Sequence, residues 1–150
     1  MDPKSFREVL DFAIRKEIDA ASLYEIYSNL AKNPGVKKMF LELSGEEQKH
    51  KKMLEDCRAE DITKYELKSI PDLKIGDYSM EEKYDPQMSY QDALILAIKR
   101  EEDSIKLYNN FVESAVDPKI KKLFQALVQE EKKHKLRLEK EYDDNIFVEG

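Results

Sequence analysis

An all-α protein of four helices, built as two copies of one helical hairpin, is the fold class this sequence predicts. Three observations predict it. The first is an internal repeat. Sliding the 150-residue chain by 84 places, with no gap, sets Ser5 to Arg58 against Ser89 to Tyr142 and leaves 21 of 54 positions identical. The shared letters include Ala13-Ile14 with Ala97-Ile98, Glu17 with Glu101, Leu23-Tyr24 with Leu107-Tyr108, Pro34 with Pro118, Phe40 with Phe124 and Leu43 with Leu127. Self-similarity at a fixed offset marks a duplicated supersecondary unit. The second is apolar spacing of three and four residues in each copy, the period of a helix with one buried face. The third is composition: four glycines and five prolines leave long stretches without a helix breaker.

The same composition excludes several classes. A chain of 150 residues suits one domain with a single core. A net charge of -6 is the wrong sign for a general nucleic-acid binder, which presents a basic face to phosphate. No run of 18 apolar residues is present, so no membrane-spanning helix is expected. Met1-Asp2-Pro3-Lys4 lacks the apolar stretch of a signal peptide. The lone Cys57 has no partner for an internal disulfide and belongs to no Cys-x-x-Cys. A cytoplasmic protein is the expectation, and its Lys and Glu content resembles that of heat-adapted proteins.

The first hairpin covers about 3–60. Its first helix starts near Ser5, where Ser5-x-x-Glu8 reads as a capping box, with Asp2-Pro3 as an earlier alternative. The apolar stripe is Phe6, Leu10, Ala13, Ile14, Ala20, Ala21, Tyr24 and Tyr27, and Glu17 falls in its middle. A lone carboxylate there would enter the core at a cost of several kcal/mol unless something compensates it. Asn33-Pro34 makes the turn, with Asn33 as cap and Pro34 in the first helical position. The second helix has the heptad stripe Val36, Phe40, Leu43, Glu47, His50, Leu54, Cys57. The short turn predicts that the two helices pack antiparallel.

A crossover covers about 61–88. Ile70-Pro71-Asp72, Gly76-Asp77 and Asp85-Pro86 interrupt it, and scattered apolar residues such as Leu67 and Leu73 suggest a connection laid on the surface. A short helical turn near 80–84 fits the sequence. The second hairpin covers about 89–142. Its first helix opens at Ser89-x-x-Asp92 and carries Tyr90, Leu94, Ala97, Ile98, Glu101, Ile105, Tyr108 and Phe111. Asp117-Pro118 repeats the turn, and the last helix carries Ile120, Phe124, Leu127, Glu131, His134 and Leu138. In the tail, 143–150, Ile146, Phe147 and Val148 are candidates to dock on the bundle or on a partner.

The chain has two histidines, and each ends a Glu-x-x-His: Glu47 to His50 and Glu131 to His134. Residues three apart share a helix face, so each Glu and His project together. Glu17 and Glu101 sit near the midpoints of the partner helices, and midpoints of an antiparallel hairpin lie at one height. Each hairpin therefore offers two carboxylates and one imidazole at one level. Association of the repeats about a pseudo-two-fold axis would bring six groups together and make the second and third helices parallel. A parallel pair needs a connection spanning roughly 35–40 Å at 1.5 Å per residue; the crossover is long enough. Four carboxylates buried together repel and raise one another's pKa, and a buried ion-pair network would leave four acids facing two bases. Two divalent cations cancel the charge. Mixed carboxylate and imidazole ligands suit iron, manganese or zinc better than calcium. The expected metal ligands are Glu17, Glu47, His50, Glu101, Glu131 and His134, with Glu47 and Glu131 bridging and one histidine on each metal.

Neighbouring residues have plainer readings. Tyr24 and Tyr108, seven residues after the first ligand of each repeat, are placed either to hydrogen-bond ligand carboxylates or to pack as core tyrosines. Glu46 and Glu130 read as solvated flanks, Asp19 and Asp103 as surface salt-bridge partners or, alternatively, groups that orient a histidine, and Cys57 as a small buried hydrophobe. The lysines of 49–52 and 132–135 should mostly face water.

At Glu17, Glu47-x-x-His50, Glu101 and Glu131-x-x-His134 the chain resembles the rubrerythrin-like branch of the ferritin-like di-iron carboxylate superfamily. The resemblance covers both hairpins. It implies a ferritin-like antiparallel four-helix bundle with a long crossover, two metal ions of which iron is the first expectation, and an oxidoreductase. The expected chemistry is reaction with hydrogen peroxide or dioxygen, and the expected assembly is a homodimer. Two departures stand out. Typical rubrerythrins carry a further glutamate one turn after the third-helix ligand, where this chain has Ser104. They also often carry a rubredoxin-like domain with paired Cys-x-x-Cys motifs, which are lacking here, so the electron donor would be a separate protein such as a rubredoxin. Ferrous iron oxidation for iron handling, a non-redox metal-stabilised bundle and an oxygenase acting on an organic substrate are the alternatives.

Overall fold

The computed structural model describes residues 6–59 and 88–144. Ser5, Asp2-Pro3, the crossover with its short helical turn, and the apolar tail lie outside the described residues. Four helices follow in order: α1 (Phe6–Leu30), α2 (Pro34–Ala59), α3 (Tyr90–Ser114) and α4 (Pro118–Tyr142). They fall into two compact units, Met1–Asp72 with α1 and α2, and Leu73–Gly150 with α3 and α4.

The turns form for the reasons the sequence suggests. Asn33 Oδ1 accepts from the backbone N–H of Gly35 at 2.8 Å and of Val36 at 3.3 Å, and Pro34 opens α2. Asp117 Oδ1 accepts from Lys119 N at 2.8 Å and Ile120 N at 3.2 Å, with Pro118 opening α4. Proline at that position loses no hydrogen bond, and the cap oxygen satisfies donors the helix cannot reach. At α3, Ser89 Oγ accepts from Asp92 N at 3.1 Å, the expected cap.

Within unit 1, α1 packs on α2, and within unit 2, α3 packs on α4. Both pairs are antiparallel. In the first, Asp11 near the start of α1 meets Arg58 at the end of α2 at 2.9 Å, while Ser44 Oγ donates to Ala21 O at 2.8 Å further along. In the second, Tyr90 and Gln91 at the start of α3 reach Glu141 and Tyr142 at the end of α4, at 2.7 and 3.3 Å. Near the turns, repeat-equivalent aromatic pairs fill each hairpin. Tyr24 stacks on Phe40 at 6.0 Å between centroids and Tyr108 on Phe124 at 6.1 Å.

The stripes are buried, with differences of width. Every expected position of α2 and α4 is buried, Cys57 included. On α1 and α3, Ala20, Tyr90, Ile98 and Ile105 are half-buried instead. Val9, Leu23, Leu96 and Leu107, off the predicted line, are buried, and so is Lys16 at 7% exposure. The buried arc of α1 and α3 is broader than a heptad seam. Among the described residues, no helix is long and apolar enough to cross a membrane.

Candidate metal centre

Each hairpin buries two glutamates and one histidine at its mid-height. In hairpin 1 these are Glu17 from α1 and Glu47 and His50 from α2, exposed by 1–2%. Glu47 and His50 are three residues apart, so α2 turns both toward α1, where Glu17 meets them. His50 Nδ1 lies 3.7 Å from Glu17 Oε2 and 3.9 Å from Glu47 Oε1. One ligand atom from each of the three residues can be chosen so that all lie within 4.8 Å of one another.

Hairpin 2 repeats the arrangement with Glu101 from α3 and Glu131 and His134 from α4, also buried. His134 Nδ1 stands 3.8 Å from Glu101 Oε1 and 3.3 Å from Glu131 Oε1. Their ligand atoms also group within 4.8 Å. The sequence-predicted residues are thus assembled, three by three, within each repeat.

The spacing and the charge both bear on what such a trio can hold. The four distances, 3.3–3.9 Å, exceed the 2.7–3.2 Å range of good N–H···O bonds. Two donors each about 2.1 Å from one ion, at tetrahedral or octahedral angles, stand roughly 3.0–3.4 Å apart. Only the His134–Glu131 contact, at 3.3 Å, falls in that window; the other three, at 3.7–3.9 Å, are wider than either a good hydrogen bond or a pair of ligands on one ion. Burial opposes the charged form of His134, yet the carboxylates of Glu101 and Glu131 outweigh it and lift its pKa to about 9. The environment thus calls for positive charge beside these carboxylates. A proton on the imidazole supplies one such charge; a divalent ion supplies two and takes the imidazole as ligand. Carboxylates with an imidazole fit iron, manganese or zinc.

The flanking residues separate clearly from these trios. Glu46 and Glu130 keep side-chain exposures of 40% and 37% and pair with Lys49 at 3.5 Å and Lys133 at 3.2 Å. Such exposed pairs contribute little to stability. Asp19 is exposed and Asp103 half-buried. Tyr24 and Tyr108 are 2% and 1% exposed. Ser104 is half-buried, as is Ala20, its counterpart in the first repeat. Sequence reasoning missed the buried Lys16, one residue before Glu17. Its amine lies 6.0 Å from the centre of the Phe12 ring. A lysine four residues after an aromatic on one helix face was the only signal for it.

The family model described as Rubrerythrin matches residues 8–142. Three solved structures are similar in fold. A candidate ferritin-like diiron-carboxylate protein of Thermotoga maritima aligns with a TM-score of 0.74 at 22% identity, over 97% of this chain and 98% of that one. The dodecameric thioferritin of Bacteroides fragilis, a bacterioferritin-related protein, gives 0.73 at 20% identity, over 95% and 87%. A hypothetical protein of Pyrococcus furiosus gives 0.71 at 22% identity, over 93% and 89%. No curated protein sequence matches the chain. At these identities the likeness is one of fold, and the all-α, four-helix, ferritin-like class expected from the sequence is the one found.

Proposed function

Because the chain belongs to the rubrerythrin family, we propose that it is a di-metal oxidoreductase whose two half-sites close over a pair of ions, first of all iron. The observation that carries this reading is the duplicated buried trio, Glu17, Glu47 and His50 in one repeat and Glu101, Glu131 and His134 in the other. One trio offers three donor residues, fewer than the four of a closed structural site. Brought together in the single domain we expect over 1–150, two trios would offer six and set four carboxylate charges against two divalent ions. Glu47 and Glu131 would be shared between the two ions, and Glu17 with His50 and Glu101 with His134 would each hold one. When bound, the irons supply a redox step in which hydrogen peroxide or dioxygen is reduced with electrons from a separate donor such as a rubredoxin.

The residues of the chain have distinct tasks in this scheme. The ligand carboxylates and histidines fix coordination number, and the apolar layers around them exclude bulk water. Tyr24 and Tyr108 hydrogen-bond ligand carboxylates, and with the ligand glutamates they are the candidates for proton delivery. We take the protein to work in the cytoplasm as a homodimer.

The test is metal content of native-source protein, followed by anaerobic ferrous loading and a peroxide pulse. Two irons per chain, oxidised quickly by peroxide and re-reduced by a rubredoxin, support the reading. Fewer than one metal per chain with an unchanged fold overturns it. The similarity to a dodecameric thioferritin favours iron handling as the second reading. Oxidation by dioxygen without peroxide turnover, in a large closed oligomer, would support that reading. Zinc as the native metal, with no colour change on ferrous loading, would point to a non-redox bundle, and turnover of an organic compound to an oxygenase.

A further inference from the structure

Every side chain of the two trios is only 1–5% exposed, so an ion arriving from water meets other groups first. In each repeat one carboxylate stands at that boundary. Glu46 precedes Glu47 and lies four residues before His50, and Glu130 stands in the same relation to Glu131 and His134. Residues three and four apart share a helix face, so both glutamates of each pair lie one turn from the histidine. Their burial differs. Glu47 and Glu131 are 1% exposed, whereas the side chains of Glu46 and Glu130 keep 40% and 37%. Even so, a carboxylate oxygen of Glu46 lies within 4.8 Å of a ring nitrogen of His50, and one of Glu130 is as close to His134. Each of these carboxylates borders solvent on one side and a buried histidine on the other. The arrangement occurs twice, although Gly45, Gln48 and Lys52 around it correspond to Gln129, Lys132 and Leu136.

On the di-metal reading above, on which this step depends, we propose that Glu46 and Glu130 are entry ligands: each takes a divalent ion from water at the surface of its hairpin and passes it inward to the trio of its own repeat. Lys49 meets Glu46 at 3.5 Å and Lys133 meets Glu130 at 3.2 Å, with the lysine side chains 73% and 71% exposed. Such pairs are weak and screened by salt, so a doubly charged ion displaces the ammonium. The lysine holds the carboxylate in place and gives way when the ion arrives. A glutamate oxygen then replaces one bound water, and His50 and Glu47, or His134 and Glu131, replace that glutamate in turn. Only bonds between ion and ligand are exchanged; nothing is oxidised or reduced, and the carboxylate returns to its lysine. Taking a charge out of water in one step is expensive, and exchange one ligand at a time divides that cost. An entry ligand lies on the path in and on the path out. It therefore changes the rates of loading and release by one factor and leaves the affinity alone, whereas a resident ligand changes the affinity.

The test is the rate at which the metal-free full chain takes up cobalt(II), followed by visible absorption in a stopped-flow instrument. The double variant Glu46→Gln, Glu130→Gln should load at least about tenfold more slowly than the unaltered chain. Release to excess chelator should slow by the same factor, with final cobalt per chain and the cobalt spectrum unchanged. Glu42→Gln with Glu139→Gln removes the same charge elsewhere on α2 and α4 and should load at the unaltered rate. Equal slowing in both double variants would reduce the effect to net charge and overturn the proposal. Unchanged loading without Glu46 and Glu130 would overturn it too. So would a lower cobalt content or an altered spectrum, which would make the two glutamates resident ligands. An unaltered chain that binds no cobalt would overturn the di-metal reading together with this one. An unaltered chain that loads fully, matched in rate by the Glu46→Gln, Glu130→Gln variant, would overturn the entry role alone.

Discussion

Glu17 Oε2 lies 3.7 Å from His50 Nδ1, with both side chains 2% exposed. The pair joins α1 to α2 at mid-height, and Glu101 with His134 repeats it at 3.8 Å between α3 and α4. A carboxylate buried to that degree needs a proton, a cation or a metal beside it. The predictions below ask which of these each trio holds and how the scaffold supports it.

Glu47→Ala and Glu46→Ala should separate ligand from flank. Glu47 is 1% exposed and beside His50, whereas Glu46 keeps 40% side-chain exposure and pairs with Lys49. We expect Glu47→Ala to abolish stoichiometric binding of two metals and Glu46→Ala to leave it almost intact, measured as metal per chain after loading and desalting. Equal losses would show that the facing assignment on α2 is wrong.

His134 sets a pH dependence whose sign reverses with metal. Its pKa in the folded, metal-free protein is raised to about 9 from an ordinary 6.5. Between those values the folded state holds a proton that the unfolded state has lost. The stabilisation is therefore complete below pH 6.5 and is lost as pH rises toward 9, with a slope of at most about 1.4 kcal/mol per pH unit. Urea melts of chelator-treated protein at pH 6, 7.5 and 9 should show the decline. His134→Gln should remove it. Metal requires the neutral imidazole, so metal affinity should rise over the same interval.

Asp117→Ala should cost about 1 kcal/mol, because Asp117 Oδ1 accepts from both Lys119 N and Ile120 N. For a chain of this length that is a Tm loss of about 2–4 °C. Asn33→Ala, which removes the equivalent cap on α2, should have a similar effect. A calorimetric Tm unchanged in both would mean that backbone and solvent satisfy these donors without the caps.

Tyr90 and Glu141 form a polar pair where the first repeat has Phe6 and Cys57. The Tyr90 hydroxyl donates to Glu141 Oε1 at 2.7 Å, and burial, with help from that carboxylate, raises its pKa. Tyr90→Phe should cost about 1–2 kcal/mol by leaving the half-buried carboxylate with one donor fewer. Adding Glu141→Cys, which recreates the first repeat's pair, should recover part of the loss. Strict additivity of the two changes in chemical denaturation would count against coupling.

Much of the fold was readable in the chain because helix period and repeat reinforce each other. Asn33-Pro34 and Asp117-Pro118 announce their turns through local chemistry, a side-chain oxygen and a missing N–H, which needs no tertiary partner. Glu-x-x-His three apart needs only helical geometry to share a face. The selection of Glu47 over Glu46 followed from the heptad line through Phe40, Leu43 and Leu54, and the burial values agree with it. Glu17 and Glu101 were readable as acids in apolar stripes, and each is indeed buried beside the histidine of its own hairpin.

The sequence by itself determined the four helices, the caps of α2, α3 and α4 and the Glu-x-x-His pairing within each trio, because these depend on local hydrogen bonds and on residues within a few places of one another. Tertiary structure decided what depends on neighbours distant in the chain. Val9, Leu23 and Lys16 are buried although they lie off the predicted stripe, since the width of a buried arc is set by what packs beside a helix. Ile95 and Tyr142 border a pocket, and Asp11 and Arg58 a salt bridge, at equivalent places of one duplicated unit. Periodicity places all four at the edge of a face. Only contact across the hairpin shows which edge is closed by charge and which is left apolar.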